Sequence, residues 1–344
     1  MKSQTYKEIK DQYNRLEQTQ KHLNESNMEI IEKYKKYGTI IYVGCGSSYC
    51  IAKSLSVATV MKLGKESFAI SGGDLMQRIA EYRDALNNSL VVAISRSGAT
   101  SEILLAFENL RKENINYETL SFSCRENQEL ARLSDYAIEM PWAFDKSVCQ
   151  TSSVTNLYFA GMNLIARAAA NDEMLESLSQ LIISGNEFLS KTEETLAKIA
   201  GLDWDHGVIL GDSEAAGICE EGALAFKEIC QLPSNHYNLL DSRHGPIVMI
   251  NAKTLVVMII SNINNDFELN LIEDLKKKKC TIVTVSGEAL EISGTININV
   301  GFTLPYAVLG IPFINVVQMI TSYKAELLNT DPDMPEGLDP WITL

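Results

Sequence analysis

The 344-residue sequence has seven cysteines and no company for any of them: Cys45, Cys50, Cys124, Cys149, Cys219, Cys230 and Cys280 form no Cys-x-x-Cys pair and no cysteine–histidine cluster at zinc spacing. A disulfide scaffold and a zinc module are excluded, and a reducing compartment is expected. Basic side chains are scarce, 30 against 44 acidic ones, so the net charge is −14. A field of that sign repels phosphate backbones and acidic lipid, so neither nucleic acid nor a membrane surface is expected as a partner. The one basic block, Lys276 to Lys279, follows Glu273 and Asp274 and reads as a solvated helix end. The opening stretch MKSQTYKEIKDQYNRLEQTQKHL lacks the apolar core and small-residue site of a secretory signal, and a cytoplasmic location is expected.

Long uncharged runs are also missing, with one exception. Gly301 to Ile320 carries no charge, but it holds Pro305, Gly310, Pro312, Asn315 and Gln318, which are costly in lipid. The expectation is a loop, GFTLPYAVLGIP, leading into a buried helix, FINVVQMITSYKAELL. No low-complexity segment occurs. Nor does Gly-x-x-x-x-Gly-Lys-Ser/Thr, and Gly44-Cys45-Gly46-Ser47-Ser48-Tyr49 lacks the third glycine of the dinucleotide fingerprint, which excludes the two common nucleotide folds.

What the sequence does have, at 46% hydrophobic and 22% charged, is material for two domains. Short Val/Ile-rich runs, each followed by a helical stretch, predict parallel strands covered by helices. They fall at 39–44, 66–71, 89–95, 118–123 and 136–140, and again at 206–211, 235–240, 254–261, 281–286 and 296–300. Tyr42 to Ile209, Val92 to Val257 and Leu120 to Val283 keep a nearly constant separation, the mark of an internal duplication. The expected class is therefore α/β, with two tandem doubly wound five-stranded, mostly parallel sheets. Ligands are expected at the carboxyl ends of the strands, where the order reverses. An amphipathic helix is expected over residues 3–36, and one or two helices, broken near Ser184-Gly185, over 171–200. The domain plan is an N-terminal helix (1–36), a first domain (37–168), a helical linker (169–200), a second domain (201–328) and a tail (329–344).

Two loops carry the first chemical signal. Gly44-Cys45-Gly46-Ser47-Ser48 follows the first strand, and Ser95-Arg96-Ser97-Gly98-Ala99-Thr100-Ser101 follows the third; each opens a helix. Glycine lets backbone approach a ligand, helix N-termini present N–H groups, and hydroxyls add neutral donors, so a small-molecule anion is expected there. Either Ser47 or Thr100 could equally be a plain helix cap. The second half does not repeat these hydroxyls: its loops read Gly211-Asp212-Ser213-Glu214 and Ser261-Asn262-Ile263-Asn264. It offers instead Glu228 on a helix and His244 in a turn, the two group types that proton transfer beside a carbonyl requires. His22, His206 and His236 read as structural.

The ordered set of Ser95-Arg96-Ser97-Gly98-Ala99-Thr100, then Glu221-Gly222-Ala223-Leu224-Ala225-Phe226-Lys227-Glu228, then His244-Gly245-Pro246 resembles the sugar isomerase (SIS) family. Within it the likeness is to two-domain members: the isomerase half of glutamine-fructose-6-phosphate amidotransferase, the tagatose- or galactosamine-6-phosphate isomerase group, and the fructosamine-6-phosphate deglycases. It covers about residues 35 to 344. The resemblance implies a flavodoxin-like topology, a sugar phosphate held by Ser47, Ser48, Ser95, Ser97 and Thr100, and Glu228 as the base between C1 and C2. It also implies that His244 opens the sugar ring and reaches the site from the partner subunit of a homodimer. The segment Val148-Cys149-Gln150-Thr151-Ser152-Ser153 is similar to one that closes over the ligand, with Gln150, Thr151 and Ser152 facing it, and the tail lies over the active site. No cofactor and no metal are implied.

Three departures narrow the chemistry. No glutaminase segment precedes the match in a chain that begins Met1-Lys2, so self-supplied ammonia from glutamine is not expected. The amidotransferase's tail lysine corresponds to Pro340, and a second lysine on the catalytic helix to Ala225. Lysine-imine chemistry is therefore not expected, while enediol or enolamine chemistry remains available. The reading is a phosphosugar isomerase or deaminase, with a fructosamine-6-phosphate deglycase and a non-catalytic sugar-phosphate sensor as alternatives.

Overall fold

The Val/Ile-rich runs at the centre of each sheet fold as strands because they bury both faces, and every such side chain removed from water contributes about 1.5–3 kcal/mol. The computed structural model describes residues 2–25, 28–261 and 265–338. Two units divide them: a first of residues 11–146 and 150–182, and a second of residues 2–10, 147–149 and 183–338.

The chain opens with α1 (Gln4–Glu25) and α2 (Met28–Lys36). The first sheet follows as β1 (Thr39–Gly44), α3 (Ser47–Leu63), β2 (Glu66–Ser71), α4 (Gly72–Leu86), β3 (Ser89–Ser95), α5 (Ser101–Leu110), β4 (Tyr117–Ser123), α6 (Glu129–Leu133) and β5 (Tyr136–Glu139). Its order is β2-β1-β3-β4-β5, parallel throughout. Val43 pairs with Ile70 on one side and Ala93 on the other, so β1 and β3 end side by side where the order reverses. One face is a core of Ile41, Val43, Val91 and Ala93 against Leu75, Ile103 and Phe107 of the covering helices.

Next come α7 (Ser152–Ala168) and α8 (Asp172–Ala200). The second sheet is built from β6 (His206–Leu210), α9 (Ala216–Ile229), β7 (Ser234–Tyr237), β8 (Thr254–Ile259), α10 (Asp266–Lys277), β9 (Thr281–Ser286) and β10 (Ile296–Asn299), and α11 (Tyr306–Leu328) closes it. Its order, β7-β6-β8-β9-β10, is that of the first sheet strand for strand. The expected α/β class, two five-stranded parallel sheets, is what the chain forms.

Three expectations need correction. The N-terminal helical stretch is two helices, α1 ending at Glu25 and α2 starting at Met28, with Ser26 and Asn27 outside the described residues. Met28, the first residue of α2, is exposed. The linker helix runs unbroken through Gly185. Helix α11 begins at Tyr306, seven residues before Phe313, with Pro305 at its cap position and Pro312 inside it. Burial decides this: every residue from Ala307 to Ser322 is buried, and that contact outweighs the roughly 3 kcal/mol that an interior proline costs. The helix is long and apolar enough to cross a membrane, but 89% of its most apolar window is buried inside the protein, as expected of a core helix. Lys276 and Lys277 end α10 paired with Glu273 and Asp274, the helix end read from the sequence.

Candidate active site

In the first unit, the loops after β1 and β3 stand at neighbouring strand ends. The Ser95 hydroxyl, buried at the end of β3, accepts the Gly98 N–H at 3.1 Å and shares a hydrogen bond with the Thr100 hydroxyl at 2.9 Å. Ser97 accepts the Ala99 N–H at 3.2 Å. Gly98 has φ +63°, and a Cβ there would lie 2.7 Å from Gln128 Cβ, so only glycine makes this turn. The cap reading fails for both loops. Thr100 stands at the cap position of α5 but makes no side-chain cap bond, and Gly46 at that of α3 has no side chain to make one. Ser47 and Ser48 are buried in the first turn of α3. The two hydroxyl loops thus follow the carboxyl ends of adjacent parallel strands, β1 and β3. Cys45 between them is no nucleophile: burial, helped by Glu102 and opposed by backbone N–H groups, pushes its thiol up to about 11.

The sequence reading missed Arg96 and Asp145. Arg96 is buried inside the hydroxyl loop, its guanidinium 5.8 Å from the Phe144 ring centroid. Its signal was the one cation in a loop otherwise made of hydroxyls. Asp145, 1% exposed, accepts the N–H groups of Thr151 (2.9 Å), Ser152 (3.2 Å) and Ser153 (2.8 Å) and the Ser153 hydroxyl (2.5 Å). It is the cap of α7, supplied from six residues before Thr151, and it is balanced by Arg15 at 3.5 Å. The expected closing residues Thr151 and Ser152 are therefore buried against this carboxylate, and Gln150 is half-buried, its side-chain oxygen 3.4 Å from the Ser153 hydroxyl.

In the second unit, α9 lies on one face of its sheet. A Cβ on Gly207 would meet the Phe226 ring at 2.5 Å, so glycine is what lets α9 approach β6. Near the C-terminal end of α9 Glu228 is half-buried and lines a cleft of about 630 Å³ with Leu224, Lys227, Gln231 and residues 335–338. Part of the tail thus borders Glu228; Pro340 lies outside the described residues.

His244 is on the other face. It follows β7 in the crossover to β8, between Leu239 and Ile250, which pack with Val208, Leu210, Val256 and Met258 and with Leu271, Ile272 and Leu275 of α10. Those strand residues alternate with Gly207 and Ile209, which face α9. The histidine is exposed, its N–H donating to the Asp241 carbonyl at 2.9 Å, and its neighbour Arg243 is tied to Asp274 at 2.8 Å. Glu228 and His244, sixteen positions apart, are not brought together within one chain; the sheet stands between them. Glu228 also departs from the expected strand-carboxyl location, since α9 ends at the amino edge of β7. The other histidines have structural partners: His206 bonds Asn235 at 3.0 Å, His236 donates to the Gly211 carbonyl at 3.2 Å, and His22 packs edge-on against Trp142.

The second sheet's own strand-end loops hold acids. Asp212 accepts the Leu239 N–H at 2.9 Å; burial, with Asp241, pushes its carboxyl up against the pull of that N–H and of His236. Glu268 accepts the Ser261 N–H at 3.3 Å and is likewise raised by burial, with Asp212 adding to it. Glu214 is buried and accepts the Ser213 hydroxyl at 2.6 Å. Asn262, Ile263 and Asn264 lie outside the described residues.

The family model for the SIS domain matches residues 33–167, which contain both hydroxyl loops. Glutamine–fructose-6-phosphate aminotransferase (isomerizing) of Sulfurisphaera tokodaii is 26% identical over 325 residues, 92% of this chain and 52% of that protein. The chain thus spans about half the length of that relative. D-galactosamine-6-phosphate deaminase of a Shewanella species is 26% identical over 310 residues, 87% of this chain and 75% of that one. Among solved structures, glucosamine-6-phosphate deaminase from Thermotoga maritima is similar with a TM-score of 0.81 at 26% identity, covering 99% of this chain and 100% of that one. The match to the SIS domain model over residues 33–167 agrees with the resemblance to the sugar isomerase family that the motifs carry.

Proposed function

We propose that this chain is an enzyme of the sugar-phosphate isomerase and deaminase type, working in the cytoplasm on an open-chain hexose or amino-sugar 6-phosphate. The observation that carries the reading is the pair of hydroxyl loops at the adjoining ends of β1 and β3. Neutral donors at two helix starts that no side chain caps suit a phosphate dianion. Ser47, Ser48, Ser95, Ser97 and Thr100 hold that phosphate, and Gln150, Thr151 and Ser152 belong to the segment that closes on the sugar.

Glu228 is the base. As a carboxylate it takes the C2 proton of the aldose form; the C2–H electron pair becomes the C1=C2 bond while the C1 carbonyl oxygen gains a proton. Glu228 then returns its proton to C1. With oxygen on C2 the C2 hydroxyl gives up its proton as C1 gains one, balancing the proton taken by the C1 oxygen, and the product is a ketose. With nitrogen on C2 it is an imine, which water hydrolyses to ketose 6-phosphate and ammonia. The nitrogen reading is favoured because the aminotransferase and both deaminases named above handle an amino group. Since one chain carries Glu228 and His244 on opposite faces of a sheet, His244 serves the site of a second copy. Val248 and Met249 just beyond it, 74% and 64% exposed, suit an apolar seat for that copy.

The test is solvent deuterium exchange at C1 and C2 over a panel of hexose, hexosamine and fructosamine 6-phosphates first sorted by thermal shift. Wild type should exchange, and Glu228→Gln should lose about 10²- to 10⁴-fold in rate while keeping its ligand-induced rise in Tm. Full exchange by Glu228→Gln overturns the base, and binding without exchange by wild type means a sensor.

A further inference from the structure

The wall of the Glu228 cleft formed by residues 335–338 is held from far away in the sequence. Past the end of α11 at Leu328 the described chain has no further helix or strand. What fastens it is Asp333, whose Oδ2 accepts the Gln4 N–H at 2.7 Å and whose Oδ1 accepts the Thr5 N–H at 2.7 Å and the Thr5 hydroxyl at 2.8 Å. Those are the first N–H groups of α1, so a carboxylate from the end of the chain caps the helix at its beginning. The Asp333 backbone points elsewhere: its carbonyl accepts the Val148 N–H at 3.0 Å. Ser147 next to it donates its hydroxyl to Glu8, a carboxylate only 1% exposed that also accepts from the Gln4 side chain at 2.9 Å. Two turns of α1 therefore hold both the cleft wall and the residues that lead directly into Gln150, Thr151 and Ser152.

We propose that Asp333 is a positioning residue for the reaction: it touches no substrate, but its carboxylate and its carbonyl fix the tail against Glu228 and the 147–149 segment against the tail. The proposal rests on the function proposed above, and it makes the first ten residues part of the site. A cap that served only to stabilise α1 would lower the melting temperature and leave KM alone.

The experiment uses the full chain, with Asp333→Ala and, as a variant that keeps the fold, Gln4→Pro. Proline is favoured at the first position of a helix, so Gln4→Pro removes one donor to Asp333, and with it the Gln4 side-chain bond to Glu8, while the backbone of α1 holds. For the sugar phosphate that wild type turns over best, KM should rise about tenfold in Asp333→Ala, the size of a lost cap, with kcat changed less than twofold. Gln4→Pro should show a smaller rise at unchanged Tm. Amide hydrogen exchange at Val148 and over 335–338 should quicken in Asp333→Ala. Unchanged KM together with a lowered Tm overturns the proposal, as does unchanged exchange at Val148. A wild type without turnover counts against the function above, and the exchange measurement then decides the latch alone.

Discussion

At the switch point of the first sheet the strand ends present Ser47, Ser48, Ser95, Ser97 and Thr100; at the same place in the second sheet they present Asp212, Glu214 and Glu268. Topology is shared and chemistry is opposed. Hydroxyls carry no charge, so their desolvation beside an anion is cheap and their protons can turn toward it. Asp212 and Glu268 are already raised, chiefly by burial, and a phosphate beside them would add like-charge repulsion. A fold thus supplies a crevice at its switch point, and only the residues lining it decide what enters.

The comparison breaks most sharply if the first crevice is given the charge of the second. Thr100→Asp places a carboxylate at a position where aspartate is a good helix cap, so the fold should hold or gain stability. Two like charges a few ångströms apart near a surface repel by about 1–4 kcal/mol, so KM for a sugar phosphate should rise on the order of a hundredfold. Steady-state kinetics with a thermal melt checks both halves; unchanged KM would place the phosphate elsewhere.

The reverse change, removing charge from the second crevice, should have the smallest effect and the opposite sign. Asp212→Asn keeps an oxygen for the Leu239 N–H and drops the buried charge. Because the folded carboxyl is raised above its ordinary 3.8, its ionisation costs stability at every pH above the folded value and nothing below the unfolded one. The variant should melt a few degrees higher, about 2–4 °C, at pH 7, with the gain gone below pH 3.8. Calorimetry at the two pH values reads it; a loss of stability at pH 7 would mean that the charge is used.

Much of this was legible because it is local. Strands β1, β2, β3 and β9 have the bounds that their sequence runs predict; in β1, β3 and β9 burial on both faces writes itself into consecutive residues, while the edge strand β2 is only partly buried. The hydroxyl loops were legible for the same reason. What was not legible is what joins distant residues. Nothing in the spacing of Glu228 and His244 tells which face of the sheet each occupies, because that depends on which strand residues point toward α9. Asp145 capping α7 and Asp333 capping α1 leave no local mark, as an acid next to no helix start reads as surface. Pro312 was misread by the opposite error, a strong local rule overruled by the buried surroundings of α11.

Under the function proposed above, the placement of Glu228 and His244 on opposite sides of one sheet would make each molecule the owner of two incomplete centres. Under the reading above, a preparation lacking only the carboxylate and one lacking only the imidazole would each be inert, yet mixing Glu228→Gln with His244→Ala should recover up to about a quarter of the native rate. That is the yield of random reassortment when one of the two centres in every mixed pair is whole. Specific activity should likewise fade on dilution, as pairs come apart, while each polypeptide stays folded.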